Sequence, residues 1–303
     1  MNFKDFDTKS AFIAIVGRPN VGKSSLLNAL VGEKVAAVSA KPQTTRTRIT
    51  GILTKGKTQF VFIDTPGLHK PRTKLADFMM KQVGDSVSDV DLAVLVTEPK
   101  GEICAAEKEL IQRFKDLHMP AILCVNKIDT LEHKEEMLEK ISAFAKEFEF
   151  EQVVPISALQ NDGIDILVSV LDGYAKPGPH YFADDSLTDQ PERAIVAELI
   201  RERILVDLEN EVPHGVAVSI ESMKEREGKD IADIDAMIYC EKDSHKGIII
   251  GKKGAMLKKI GTEARASLER FLGCKVNLQC WVKVKEDWRN REGLLRNFGF
   301  TEE

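Results

Sequence analysis

Gly17-Arg-Pro-Asn-Val-Gly-Lys-Ser24 fits the pattern G-x-x-x-x-G-K-S and lies between an apolar run, 11–16, and a stretch of helical period, 23–31. Strand, glycine-rich loop and helix in that order predict a phosphate cradle. Glycines let backbone N–H groups face phosphate oxygens, and the helix adds its dipole and its unpaired first N–H groups. Gly17, Asn20, Val21, Gly22, Lys23, Ser24 and Ser25 are the candidate contacts. Lys23 is expected to reach the β- and γ-phosphates, and the Ser24 hydroxyl to ligate magnesium. A glycine-rich turn with no ligand is the bland alternative.

Outward from this loop, apolar runs rich in β-branched residues recur at 60–63, 92–96, 121–125 and 153–156. They read as buried strands. Helical-period stretches lie between them near 74–87, 104–117, 134–148 and 164–174. This alternation predicts an α/β unit with a doubly wound, mainly parallel sheet.

Asp64-Thr-Pro-Gly67 follows the second strand, so its carboxylate lies where ligands of open α/β sheets collect. Asp64 is expected to hold magnesium through water and the Gly67 N–H to meet the γ-phosphate, with Thr65 and Pro66 completing the contact. Asn126-Lys-Ile-Asp129 ends a later strand. The Asp129 carboxylate can accept the hydrogens that guanine donates from N1 and N2. Adenine offers neither, and an unpaired carboxylate opposite it would be heavily penalised. Asn126, Lys127 and Asp129 are therefore base-site candidates. Ser157-Ala158 follows the last strand, where the Ala158 N–H suits the guanine O6 and the serine can brace Asp129. Each short motif alone is weak. The four in this order specify a P-loop GTPase.

Gln43-Thr-Thr-Arg-Thr47 lies in a polar stretch between the phosphate loop and Asp64. A threonine there can bind magnesium and be ordered by the γ-phosphate; Thr45 is the first choice and Thr44 the second. With Lys23, Asp64 and Gly67, Thr45 completes the candidate catalytic set. Leu68 stands where many GTPases place a water-orienting glutamine, and leucine cannot polarise water. Slow intrinsic turnover is the consequence.

Lys176-Pro-Gly-Pro179 and the acidic stretch after it break the alternation, dividing the chain into a domain at 1–175, a linker at 176–190 and a second domain at 191–303. The second opens with a helix near 194–208 and strands at 216–222 and 231–240. Three isoleucines then lead into Gly251-Lys-Lys-Gly254, followed by a helix from about 255 or 262 to 271, a strand at 276–284 and a last amphipathic helix. GXXG in that setting fits the loop with which KH domains clamp about four nucleotides of single-stranded RNA. Gly251, Lys252, Lys253, Gly254 and Lys258 are the RNA candidates; Lys259, Arg265 and Arg270 suit either a wider footprint or a solvated face. Trp281 can stack a base, but a packing role is preferred.

The chain has 303 residues, about two domains' worth, with 43% hydrophobic and 30% charged residues, the profile of a globular protein. Its apolar runs fall far short of the ~20 residues of a membrane helix. The start, MNFKDFDTKSAF, does not read as a secretory signal, so a cytosolic protein is expected. Five cysteines form no C-x-x-C pair and six scattered histidines no ligand spacing, which argues against a disulfide framework or zinc site. Net charge is −5, yet 242–285 holds eleven Lys or Arg against Asp243, Glu263 and Glu269, a local excess of +8 suited to a polyanion.

Both halves together closely resemble the bacterial Era GTPases, over essentially the whole chain. The resemblance rests on GRPNVGKS, QTTR, DTPGLHK, NKID and SA, then GPHYF, TDQPERAIVAELIRE and HKGIIIGKKG. It implies an Era-type G domain joined to an α+β type II KH domain, binding near the 3′ end of 16S rRNA on the 30S subunit, and a role in small-subunit maturation. It further implies peripheral association at the inner membrane surface; a monomer is expected, with the oligomeric state left open by the sequence. Related GTPases that lack the glutamine use an asparagine to hold potassium, a role the resemblance offers Asn20; a plain polar loop residue is the alternative. A P-loop ATPase or kinase is the rival enzyme class, against which Asn126 to Asp129 argues. A module that binds nucleotide without hydrolysing it is the rival outside enzymes.

Overall fold

The computed structural model describes residues 7–41, 43–66, 74–75, 79 and 90–300. It divides into two compact units: one runs to Asp189, apart from short segments such as Ala36–Thr44 that group with the other, and the second starts at Gln190.

The first unit is built on β1 (Lys9–Val16), α1 (Lys23–Val31), β2 (Ile49–Lys55), β3 (Thr58–Asp64), β4 (Leu92–Thr97), α2 (Ala105–Leu117), β5 (Ala121–Val125), α3 (Glu135–Glu147), β6 (Gln152–Pro155), α4 (Ile164–Asp172) and β7 (Lys176–Pro177). The sheet order is β2-β3-β1-β4-β5-β6, with β7 beside β1. β3, β1, β4, β5 and β6 run parallel, and β2 and β7 are antiparallel to their neighbours. β3, β4 and β5 are buried at every residue, and their middles, 60–63, 92–96 and 121–125, are unbroken apolar runs. On one face Leu110, Ile111, Phe114 and Phe144 cover Ala14, Val16, Leu95 and Leu123. Burying side chains of this size contributes roughly 1.5–3 kcal/mol each.

Parallel register sets the site. Ile15 pairs with Asp64, Val16 with Leu95, Thr97 with Val125, and Val125 with Pro155. The loops after β1, β3, β4, β5 and β6 therefore leave one edge of the sheet together.

Two features differ from the sequence reading. β2 was not expected, because ITGILTK mixes Thr and Gly51 with apolar residues, as suits an antiparallel edge strand rather than a parallel core strand. The stretch read as a linker is bonded along the first unit: Thr8 Oγ1 donates to Gly178 O at 2.7 Å, the Ile52 N–H to Leu187 O at 2.8 Å, and Thr188 Oγ1 to Thr50 O at 2.6 Å. Tyr181 packs edge-on against Phe12, with ring centroids 5.0 Å apart. The expected helix near 74–87 lies almost wholly outside the described residues.

The second unit comprises α5 (Glu192–Asp207), β8 (Ala217–Glu225), β9 (Ile231–Cys240), α6 (Asp243–Ile250), α7 (Ala255–Leu272), β10 (Lys275–Val284) and α8 (Glu292–Asn297). Its sheet order is β10-β9-β8, with β9 parallel to β10 and antiparallel to β8. β9 alternates, burying Ala232, Ile234, Ala236, Ile238 and Cys240 in a core that includes Ile195, Leu199, Ile260, Ala264 and Leu268. The three isoleucines before the glycine loop are the end of α6, not a lead-in of their own. Trp281 corrects the packing preference: it is 45% exposed, and the tryptophan in the core is Trp288, whose Nε1–H donates to Gly215 O at 2.9 Å. Among the described residues no helix is long and apolar enough to cross a membrane.

Candidate functional site

Gly17 and Gly22 shape the phosphate loop. Gly17 has φ +150°, and a Cβ there would stand 2.4 Å from Val96 O; Gly22 has φ +97°, and a Cβ would stand 2.3 Å from Asn126 Nδ2. Only glycine allows such close approach. Val21 is buried, Ser25 lies in the first turn of α1, and Asn20 is held in the left-handed region at φ +66°. The buried Lys23 ammonium curls back onto its own loop, donating to Gly17 O at 3.0 Å and Arg18 O at 3.1 Å. Burial lowers its pKa to about 8, and nearby Asp64 opposes that shift.

Next to it three oxygens converge. Ser24 Oγ lies 2.6 Å from Asp64 Oδ2 and 2.8 Å from Thr45 Oγ1, and Thr45 Oγ1 is 3.5 Å from Asp64 Oδ2. Asp64 is fully buried, and among the described residues its Oδ1 has no hydrogen-bond partner. Burial pushes its carboxyl up to about 6, against the pull of Lys23 and the hydroxyls of Ser24 and Thr45. Hydroxyls and a carboxylate with an unsatisfied buried oxygen form a hard donor set that fits a small divalent cation such as Mg²⁺. Thr44 turns elsewhere, onto Lys41 O at 2.6 Å, so geometry favours Thr45. Thr65 anchors the end of β3 through Ile15 O at 3.1 Å, with Pro66 buried beside it. Gly67 and Leu68 lie outside the described residues.

The loops after β5 and β6 close the other end. Asn126 Nδ2 donates to Val21 O at 2.8 Å, and Asn126 Oδ1 accepts the Ala158 N–H at 3.0 Å. The Ala158 N–H, expected for the purine O6, is thus turned to Asn126, because that amide needs a donor. Ser157 Oγ donates to Asp129 Oδ1 at 2.5 Å, fixing an otherwise exposed carboxylate that can still accept from a base. Lys127 Nζ donates to Asn20 O at 2.7 Å. The sequence reading leaves out Arg18 and Glu98, which form an ion pair here. Their one signal in the chain is position, in the variable part of the phosphate loop and directly after a core strand.

In the second unit Gly251 turns the chain at φ +70°, Lys253 sits at φ +49°, and Gly254 at φ +79° opens α7. Lys252, Lys253 and Lys258 are exposed along this turn and helix. A groove of about 360 Å³ runs beside them, lined by Gly254, Leu257, Lys258, Arg265, Leu278 and Cys280. Lys259 is held instead by Asp207 at 2.9 Å.

A family model described as "50S ribosome-binding GTPase" matches residues 12–127, and one described as "KH domain" matches 211–289. GTPase Era of Clostridioides difficile (strain 630) is 50% identical, covering 97% of this chain and 99% of its own. GTPase Era of Caldanaerobacter subterraneus subsp. tengcongensis is 52% identical over 97% and 98%. Among solved structures, that of Era in complex with MgGDPNP and nucleotides 1506-1542 of 16S ribosomal RNA matches with TM-score 0.92 and 37% identity, covering 97% of this chain and 100% of that one. An Aquifex aeolicus Era variant bound to GDP·AlF4⁻ matches with the same values. Shared along nearly all of both lengths at about half the positions, these sequences establish that the chain belongs to the Era family of GTPases.

Proposed function

We propose that the protein is a guanine-nucleotide switch that hydrolyses GTP and binds 16S rRNA near its 3′ end on the 30S subunit, acting in small-subunit assembly. Residues 1–175 handle the nucleotide, 191–303 hold the RNA, and 176–190 lie between. The observation that carries this reading is the cluster of Lys23, Ser24, Thr45 and Asp64 at the mouth of the glycine loop. Relatives bound to MgGDPNP, GDP·AlF4⁻ and a 16S rRNA segment support it. Ser24 and Thr45 hold the magnesium ion, with Asp64 acting through water; the ion supplies positive charge against the phosphates. Lys23 adds its own charge there, the Gly67 N–H meets the γ-phosphate, and Asn126, Lys127, Asp129 and Ser157 select guanine, with the Ala158 N–H steadying the Asn126 amide. Because Leu68 cannot orient water, intrinsic turnover is slow and rises with RNA. The place of action is the cytoplasm, with peripheral contact at the inner membrane surface, as a monomer.

Single-turnover hydrolysis of GTP with and without the 3′ segment of 16S rRNA tests this. Fast turnover unaffected by RNA counts against it. In Lys252→Ala/Lys253→Ala, RNA affinity is expected to fall about tenfold or more. Its dependence on log salt should flatten by about 1.4, two single-strand phosphate contacts at about 0.7 each. An unchanged slope removes those lysines from the interface.

The same assay examines Asn20. If its amide helps hold a potassium ion, hydrolysis runs on the order of tenfold faster in potassium than in sodium, and Asn20→Asp abolishes that difference. Equal rates in the two salts for the unaltered protein rule the ion out.

A further inference from the structure

We propose that Glu98 is a positioning residue of the nucleotide site, tying the phosphate loop to the purine-selecting loop through one carboxylate. It follows β4 directly, so it leaves the sheet between those two loops. Its oxygens serve different partners. Oε1 accepts from Lys127 Nζ at 2.5 Å, and Oε2 accepts from Arg18 Nη2. Lys127 Nζ also donates to Asn20 O at 2.7 Å, and both Asn20 and Lys127 sit in left-handed backbone, at φ +66° and +67°. The two loops are thus held in sparsely populated conformations by one shared set of contacts.

A buried anchor stands behind the bridge. Glu107 is fully buried, accepts from Thr97 Oγ1 at 2.7 Å and from the Cys104 N–H at 2.9 Å, and has Lys140 Nζ at 3.9 Å. Arg18 Nε lies 4.0 Å from Glu107 Oε1, so the Arg18 guanidinium is drawn towards two carboxylates. Although Arg18 belongs to the phosphate loop, its charge orients that loop.

Side chains of Arg18, Glu98 and Lys127 are 34%, 29% and 36% exposed, and ion pairs so placed add little to stability. Their effect is geometric. A nucleotide must engage both loops at once, and a spacing set in advance removes the cost of ordering them on binding. This inference rests on the guanine-nucleotide reading, so GDP binding by the unaltered protein is measured first; its absence defeats that reading and the role of Glu98 with it, whereas the variants below test Glu98 separately.

Given that binding, release of a fluorescent GDP from the full chain is followed by stopped flow for Glu98→Gln, Arg18→Met and the double variant. Glu98→Gln is expected to speed release about tenfold, the scale of one charge-assisted hydrogen bond. Arg18→Met should do the same independently, and the double variant should be no faster than the faster single one. Guanosine, which lacks phosphates, should lose less than about threefold in affinity, because it has no second loop to span. Release at the unaltered rate in both single variants overturns the proposal. So does full additivity, and so does an equal loss for guanosine and GDP, which would mark a general loosening of the fold.

Discussion

Asp129→Asn is expected to lower GTP affinity about 10⁴-fold and to transfer the preference to xanthosine triphosphate, the scale on which a site built for specific hydrogen bonds rejects a purine that cannot make them. The reason lies in who donates. Asp129 is acceptor-only, whereas guanine offers N–H donors at N1 and on the exocyclic N2. In the structure Ser157 Oγ donates to Asp129 Oδ1 at 2.5 Å. An asparagine can keep that bond only by giving its carbonyl oxygen to Ser157, which leaves its NH₂ facing the base. Donor then meets donor with guanine, while the C2 carbonyl of xanthine accepts. Competition of GTP and xanthosine triphosphate against a fluorescent nucleotide measures the transfer. A variant that still prefers GTP would remove Asp129 from the role of purine selector.

Asp64→Asn should lower single-turnover hydrolysis by about 10³-fold, in line with loss of one preorganised charge-stabilising group. The amide keeps the shape of the carboxylate and can still accept from Ser24, so the fold should survive while magnesium binds more weakly. The pH dependence follows with a definite sign. Burial holds the Asp64 carboxyl at about 6 rather than 3.8, so at lower pH a cation must displace a proton to bind. Between pH 7.5 and pH 5 the magnesium concentration needed for half-maximal hydrolysis is expected to rise about tenfold. In Asp64→Asn that rise should vanish. An equal pH dependence in the unaltered and altered proteins would place the ionisation elsewhere.

How much of this was legible in the chain differs by element. β3, β4 and β5 were readable because parallel strands covered on both faces carry unbroken apolar runs. β2 was not, since an edge strand paired on one side tolerates Thr50, Gly51 and Thr54. α6 was missed for a related reason: Ile248, Ile249 and Ile250 resemble a strand, and only Ile249 is buried among them. Trp281 was misjudged, because whether a residue of β10 is buried or exposed depends on which face of the sheet it meets. At the site, Lys23, Asp64 and Asp129 were evident from motif chemistry. Thr45 was preferred to Thr44, and Ser157 was expected as the brace of Asp129, on the same grounds; the bridge at Glu98 was not legible, because it joins residues far apart in the chain.

The chain alone determined which chemical groups exist and in what order, since each motif is a run of neighbours: a glycine loop with Lys23 and Ser24, then Asp64, Asn126 to Asp129, and later Gly251 to Gly254. Only tertiary structure decided which of those groups meet. Parallel strands deliver their carboxyl ends to one edge whatever their separation along the chain, and so Ser24 touches Asp64 and Asn20 touches Lys127. A hydrogen bond depends on tenths of an ångström between such distant residues, and that distance is a property of the packed sheet.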